Sequence, residues 1–449
     1  MVDVRAFKGT FYNPEQVKDL RAVTAPPYDV ISPAQREEYE AKHPCNIVRL
    51  ILSQETDADT DENNKYTRAR DTLANWLCKK QLKVDAEECF YIYEQEFTAN
   101  NVTYHRLGFI GRVRLEEFSS KMILPHEKTY AGPRTDRQNL LRIGQTNLSQ
   151  IFALYNDPQQ SVDKILVSET SKEPLFDLVD DDQIRHRIWR LTDADKVSTI
   201  NKLLRDEKIF IADGHHRYES SLNYRNEMLE KNPEASSEES FNFTMMTMIS
   251  MNNPGLIILP THRLLNGLDD FNLNEFITKA SPFFEIEVIE CTAQNRLETL
   301  SAIEERIEKL HLTEHVFALY TGTSFIFMRQ IDPLSSVREI DEPRTDEWKQ
   351  LDVTILHHFI LKKIMQYDPK PGQIKYTPKA GELLQRVDSG EFQLGFILAP
   401  TKIEEVQQIA SLHEIMPQKS TYFYPKLLSG LVLNQHNPAA KGTACSCNS

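Results

Sequence analysis

Apolar runs and their spacing predict strands and helices in mixed order along the chain. Helical spacing through Tyr66, Ala69, Leu73, Trp76 and Leu77 predicts a helix over KYTRARDTLANWLCKKQL. Ser32 and Pro33, after the extended TAPPYDVIS, open another, PAQREEYEAKH. CFYIYEQEF and YHRLGFIGRVRLEEF read as a hairpin with Thr-Ala-Asn-Asn at its tip, and NIVRLIL (46–52) as a β-rich run. ILPHEKTYAGPRTDRQNLLRIGQTNLSQIFALYND (123–157) reads as short apolar runs around a polar Gly-Pro turn. Residues 161–209 read as a strand (KILVSE), an acidic turn (LVDDDQ), a strand (RHRIWRLT) and a helix from about Ala194 to Arg205. KIFIADGHHRYESSLNYRNEMLEKN gives strand, glycine turn and helix, and FNFTMMTMIS a buried strand. The last third adds GLIILPTHRLL, a helix near 272–280, FFEIEVIE, a helix around 295–310, HVFALYTGTSFIFMRQ and a helical VTILHHFILKKIM. Nothing repeats at a fixed period, which argues against a solenoid. The expected class is α/β, with α+β mixed sheets.

Composition narrows the partners. Formal net charge is −14, which argues against a broad phosphate-backbone footprint and so against nucleic acid. A small basic pocket for one phosphorylated ligand stays open. No stretch approaches the ~18 apolar residues of a membrane span, so no membrane partner is expected. MVDVRAFKGTF has no apolar h-region of a secretory signal. Cys45, Cys78, Cys89, Cys291, Cys445 and Cys447 form no disulfide ladder, and the cytoplasm is the expected compartment. Cys445-x-Cys447 lies in a polar tail, read as a disordered end with metal binding as the alternative. Ser446 stands where a prenylation box would need cysteine.

Three clusters carry candidate chemistry. In FIADGHHRYES, an apolar strand leads into Asp213, Gly214, His215, His216 and Arg217 and then a helix. Free amides at a helix start favour an anion, glycine lets backbone approach closely, and arginine can grip two oxygens. The plainer alternative is that Asp213 caps the helix and the histidines are solvated. In LPHEKTY, which ends on Thr129 and Tyr130, Glu127 beside His126 and Lys128 can act as a general base or reach a hydrated Mg²⁺, and Arg134, Asp136 and Arg137 close behind raise the local polarity. In MPQKSTYFYPK, Lys419, Ser420 and Thr421 form either a ligand clamp or a strand edge. His357-His358 in ILHHFIL reads as packing with one exposed face. Zincin, nucleophile-elbow, Rossmann and P-loop signatures do not occur.

APPYDVIS, HEKTYAGPRTDR, FALYND, ADGHHRYES, PTHRLL, LDVTILHHFIL and MPQKSTYFYPKLLSGLVLN resemble, in order and up to about residue 434, the DUF1015 family. The strand–GHHR–helix turn resembles the ParB/sulfiredoxin fold, whose members hold nucleotide phosphates on a G-x-x-R helix start. Pro125-His126-Glu127 ahead of Asp213–Arg217 is similar to the layout of that superfamily's free-serine kinases. The resemblance implies Glu127 as base, with His126 beside it, and residues 214–217 as phosphate cradle. His215 replaces the cysteine that sulfiredoxin chemistry needs, and no helix-turn-helix reader of the ParB kind is found.

The resulting expectation is an N-terminal mixed α/β region over 1–120 and a ParB/sulfiredoxin-like nucleotide-binding core over 121–250. A C-terminal mixed α/β region over 251–434 and a disordered tail over 435–449 follow. The expected activity is phosphoryl transfer from ATP or ADP, with Mg²⁺, to a small hydroxylated metabolite, free L-serine by resemblance. Lys128, Thr129, Arg134, Lys419, Ser420 and Thr421 would contact the nucleotide, and no residue is assigned as a metal ligand. The alternative is a nucleotide-binding regulator or scaffold without catalysis, which the chain's size would suit.

Overall fold

The computed structural model describes residues 1–99, 101–269 and 271–436. Cys445 and Cys447 lie outside the described residues. The chain divides into two compact units: the first takes Met1–Pro125, Thr129–Leu256 and the chain from Pro425 onward, the second His126–Lys128 and Ile257–Tyr424.

Among the described residues, nine strands form the main sheet of the first unit. In spatial order they are Ile123–Leu124, Ile209–Asp213, Ile151–Tyr155, Phe243–Ser250, Val102–Arg114, Phe90–Ala99, Arg185–Leu191 and Phe176–Val179, with Val4–Arg5 beside Val102–Arg114. Two neighbouring pairs run parallel, Ile209–Asp213 on Ile123–Leu124 and Phe243–Ser250 on Ile151–Tyr155, and the others antiparallel. The segments 1–120 and 121–250, read separately from the sequence, thus share one sheet. Phe109, Ile151, Trp189, Ile209 and Ile211 pack against Val162, Leu166, Ile200 and Leu204 of two helices, Ser161–Glu169 and Ala194–Leu204. Burial of this apolar face, not local propensity, is what stabilises such short helices.

The second unit holds a six-stranded antiparallel sheet in the order Phe284–Glu290, Ser324–Gln330, Val316–Tyr320, Leu394–Leu398, His262–Leu265, Ile374–Thr377. Strand alternation sorts its residues between two cores. Val316, Ala318 and Tyr320 pack with Leu300, Ile303 and Leu383, whereas Phe317 and Leu319 pack with Ile355, Phe359 and Ile360. Those last residues belong to a π-helix, Ile355–Ile364, where the sequence suggests an ordinary helix.

Three local readings are corrected. NIVRLIL is a short buried helix at Val48–Ile51, because Asn46 Oδ1 takes the Val48 amide while its Nδ2 donates to the carbonyls of Ala22 and Thr24. KILVSE is helical: Asp157 Oδ2 accepts from the Val162 amide and fixes the first turn of Ser161–Glu169. Gly132-Pro133 lies inside the first turn of a helix, Ala131–Gly144, where proline's missing donor costs nothing. Order also continues into the segment read as tail, since Gln435 pairs with Thr146. Among the described residues, no helix is long and apolar enough to cross a membrane.

Candidate functional site

Strand Ile209–Asp213 stops at Gly214, whose φ of 92° lies in the left-handed region, and helix His215–Lys231 begins at the next residue. A Cβ at Gly214 would come within 2.9 Å of the Arg217 guanidinium carbon. Glycine is therefore needed twice over, for the backbone angle and for the fold-back of Arg217 across the turn. Arg217 Nη2 donates to Asp213 Oδ2 at 2.6 Å and Nη1 to the Gln150 carbonyl. Its Nε is buried and has no hydrogen-bond partner among the described residues. On the other side, Lys426 Nζ donates to Asp213 Oδ1 at 2.7 Å. Burial pushes the Asp213 carboxyl up, but the Lys426 ammonium and the Arg217 guanidinium outweigh it and hold the group well below the usual carboxylate range. Asp213 is ionised.

Beside the first two turns of this helix lies a cavity of about 50 Å³, lined among others by Tyr28, Arg137, Thr146, Ser149, Arg217 and Ser221. At ~10–15 Å³ for each water-sized probe position, this is room for a few waters or one phosphate-sized group. Arg137 lies 4.0 Å over the Tyr28 ring and donates through Nε to Asp136 Oδ2 at 3.0 Å. Asp136 also receives Lys65 Nζ at 2.9 Å and the Tyr66 hydroxyl at 2.8 Å. Burial raises the Asp136 carboxyl, while Arg137, Lys65 and Tyr66 bring it down to about 2. Arg217 and Lys426 thus meet Asp213, while Arg137 and Lys65 meet Asp136, with Glu55 also on Lys65 at 3.0 Å. Two guanidinium groups, Arg137 and Arg217, line the cavity on a chain of net charge −14.

The structure divides the residues read from the sequence between the units. In the first, Thr129 Oγ1 donates to Glu219, on the glycine-turn helix, at 2.6 Å, and Arg134 pairs with the same carboxylate at 3.0 Å. His216 Nε2 accepts from the Tyr130 amide at 2.9 Å, with the two rings stacked, and His215 is buried. In the second, His126 is 1 % exposed; its Nε2 bonds Thr421 Oγ1 at 3.0 Å and its carbonyl accepts from the Met416 amide. These bonds tie its loop to the 416–421 segment. Glu127 is half-buried. Lys128 is exposed and has no ion pair among the described residues. Lys419, at φ 55°, points an exposed side chain outward while its carbonyl accepts from Arg263. Ser420 Oγ donates to the Pro417 carbonyl, and Thr421 directly precedes strand Tyr422–Tyr424, which pairs with Ile257–Leu259. Sequence reasoning missed Lys426, Gln150, Tyr28 and the cavity-lining role of Arg137. Among the described residues, no group of three or more His, Cys, Asp or Glu side chains could hold a metal.

Fold and site together define a mixed α/β protein with an arginine-lined pocket at a glycine-led helix start. The chain belongs to the family described as "Protein of unknown function (DUF1015)", whose model matches residues 4–354. LDVTILHHFIL straddles the end of that match, and MPQKSTYFYPKLLSGLVLN lies beyond it. No curated protein matches the chain. Among solved structures, a free serine kinase in complex with AMP aligns at 15% identity over 68% of this chain and 84% of its own, with a TM-score of 0.30. A conserved hypothetical protein from Pyrococcus furiosus aligns at 15% identity over 71% and 94%, TM-score 0.31. SbnI with a C-terminal truncation from Staphylococcus aureus aligns at 8% over 71% and 85%, TM-score 0.28. Likeness at this level carries no functional argument.

Proposed function

We propose that the protein is a nucleotide-dependent phosphotransferase acting on a small hydroxylated metabolite, with free L-serine the first acceptor to test. The observation that carries this reading is the placement of Arg217, folded across the Gly214 turn, with Arg137 and several hydroxyl side chains in the lining of a cavity of phosphate size. Guanidinium groups and helix-start amides are the groups that bind phosphoryl oxygens. The cavity is too small for a nucleoside, so a nucleotide would place only an anionic group in it. The motif resemblance to the ParB/sulfiredoxin fold supplies the rest: Glu127, two residues ahead of Thr129, is the general base.

In the proposed step the acceptor hydroxyl oxygen attacks the terminal phosphorus of ATP or ADP, its proton passes to the Glu127 carboxylate, and the bond from phosphorus to the nucleotide oxygen breaks. Positioning and charge supply most of the acceleration in such transfers. Mg²⁺ would arrive with the nucleotide, drawing its ligands from phosphate oxygens, water and one or two carboxylates. Asp213 is a poor candidate for such a ligand, because two cations already hold it.

Incubation with ATP or ADP, Mg²⁺ and a panel of amino acids and polyols should give nucleotide turnover that depends on one acceptor. Glu127→Gln should lower that turnover by ~10²–10⁴-fold while nucleotide still binds. Unchanged turnover would remove Glu127 from the mechanism. Tight nucleotide binding without any acceptor-dependent turnover would make the protein a nucleotide-binding regulator instead.

A further inference from the structure

We infer that Tyr28 is a ligand-contacting residue of the cavity beside the Gly214 turn, its hydroxyl donating to a phosphoryl oxygen seated there; this rests on the phosphate-binding reading above. The lining carries six hydroxyl side chains, Tyr28, Thr146, Ser149, Ser220, Ser221 and Thr244. Five are committed within the protein. Thr146 Oγ1 donates to the Gly144 carbonyl at 2.9 Å, Ser220 Oγ to that of Arg134 at 2.8 Å and Ser221 Oγ to that of Arg217 at 2.9 Å. Ser149 Oγ pairs with Ser429 Oγ at 2.8 Å, and Thr244 Oγ1 with Ser221 Oγ at 3.2 Å. Of the six, the Tyr28 hydroxyl alone has no hydrogen-bond partner among the described residues.

The ring that carries this hydroxyl is held in place. Pro27, at φ −58° and ψ 148°, leads into the 3₁₀ turn Tyr28–Val30 with its ring locking the approach. Ala25, just ahead, exchanges both backbone hydrogen bonds with Ser429. The Arg137 guanidinium lies 4.0 Å over the Tyr28 ring and is itself tied down, by Nε to Asp136 Oδ2 at 3.0 Å and by Nη1 to the Ile51 carbonyl at 2.6 Å. A ring so fixed offers its hydroxyl with little further ordering. Burial raises the phenol above its usual range against the pull of the Arg137 charge, so it is a protonated donor at neutral pH. The charges of Arg217 and Asp213 also reach it.

Packing does not require that oxygen. The contact with Arg137 uses the face of the ring, which phenylalanine also offers. What tyrosine adds is a donor in the wall of the cavity. Arg217 adds more: its Nη1 and Nη2 are each engaged once, with Gln150 and Asp213, and each carries a second N–H. Among the described residues, no aspartate or glutamate lines the cavity. A wall with donors to offer and no carboxylate fits an acceptor-rich anion. The ligand class is therefore a phosphoryl group, carried free or on a nucleotide.

The test is calorimetric titration of the full-length protein with inorganic pyrophosphate, ADP and adenosine, for the wild type, Tyr28→Phe and Tyr28→Leu. Tyr28→Phe should weaken pyrophosphate and ADP about tenfold or more, the usual worth of a hydrogen bond to a charged group, and leave adenosine as in the wild type. Tyr28→Leu also strips the ring from Arg137, so it should weaken both ligands at least as much and lower the thermal midpoint. Each protein is melted with and without one fixed concentration of pyrophosphate. The rise in midpoint should be smaller in Tyr28→Phe than in the wild type, a comparison that holds even where the substitution lowers the starting value. Equal pyrophosphate and ADP affinities in wild type and Tyr28→Phe overturn the role of the hydroxyl and leave the nucleotide reading standing. Binding of pyrophosphate that depends on the Tyr28 hydroxyl, without any binding of ADP, supports Tyr28 and overturns the nucleotide reading. A wild type that binds neither overturns both.

Discussion

The cavity-lining arginines of the first unit and a buried arginine of the second are held in opposite ways. In the first, Arg217 and Arg137 each meet a carboxylate that also receives a lysine. In the second, Arg263 is 0 % exposed and has no carboxylate partner among the described residues. Its Nε donates to His357 Nε2 at 3.2 Å, its Nη2 to the Lys419 carbonyl at 3.1 Å and its Nη1 to the Thr261 carbonyl, with the Tyr376 ring 5.4 Å away. Burial lowers Arg263 to about 10, which still leaves it cationic at neutral pH. His357 must stay neutral to accept, and burial followed by the neighbouring guanidinium lowers it to about 3. His262 is lowered to about 3 for the same two reasons, and its Nδ1 accepts from the Leu398 amide. Carboxylate pairing fixes guanidinium groups in the wall of a cavity. Neutral acceptors turn an arginine into an anchor for a loop.

The largest expected effect is the response of the second unit to acid. The folded pKa of His262 and His357, about 3, lies below the unfolded value near 6.5. Folding therefore favours the neutral forms. The stabilisation is complete above about pH 6.5 and is lost as pH falls toward 3, by roughly 2–3 kcal/mol per histidine at pH 4.5. Fluorescence of Trp348, buried in that unit, with Trp76 and Trp189 replaced by Phe, would follow it. His357→Gln keeps an acceptor without titrating and should flatten the acid limb. An acid limb that the substitution leaves unaltered would refute the assignment.

Next in size is Asp213→Asn, which leaves Arg217 and Lys426 facing each other across a neutral amide. A loss of about 3–5 kcal/mol is expected for breaking such a buried group, read as a denaturant midpoint, with pyrophosphate restoring part of it. A loss under 1 kcal/mol would mean that the charge cluster is better solvated than its geometry indicates. The smallest effect belongs to Lys128→Met and Lys419→Met, each removing an exposed ammonium with no ion pair among the described residues. Stability should change by no more than about 0.5 kcal/mol, so a fall in turnover in either variant would report ligand contact alone.

The strand–glycine–helix turn was legible because its information is local: an apolar run, Asp-Gly, then helix formers. Arg217 came with it. Lys426 was not legible, because it meets Asp213 from 213 residues along the chain. Arg137 was legible only as polarity behind LPHEKTY, because Gly132-Pro133 punctuates like a turn yet fits a helix's first turn. KILVSE and NIVRLIL carry strand-like composition, but a single capping side chain, Asp157 or Asn46, decides each for a helix. Sheet order was out of reach for the same reason as Lys426, since the partners of each strand are chosen by distant segments.

The return of the chain at Pro425 sets an order of events during synthesis. Ser429 bridges Ala25, Leu433 bridges Thr10 and Gln435 pairs with Thr146, so the earliest segments are sealed by the last. At translation rates of ~5–20 residues per second, residues 257–424 occupy the ribosome for on the order of ten to thirty seconds. Through that interval the nascent first unit has a sheet, a glycine turn and Arg217, but neither its closing segment nor its second cation. A fragment cut at residue 354, where the family match ends, would be held permanently at that unfinished stage.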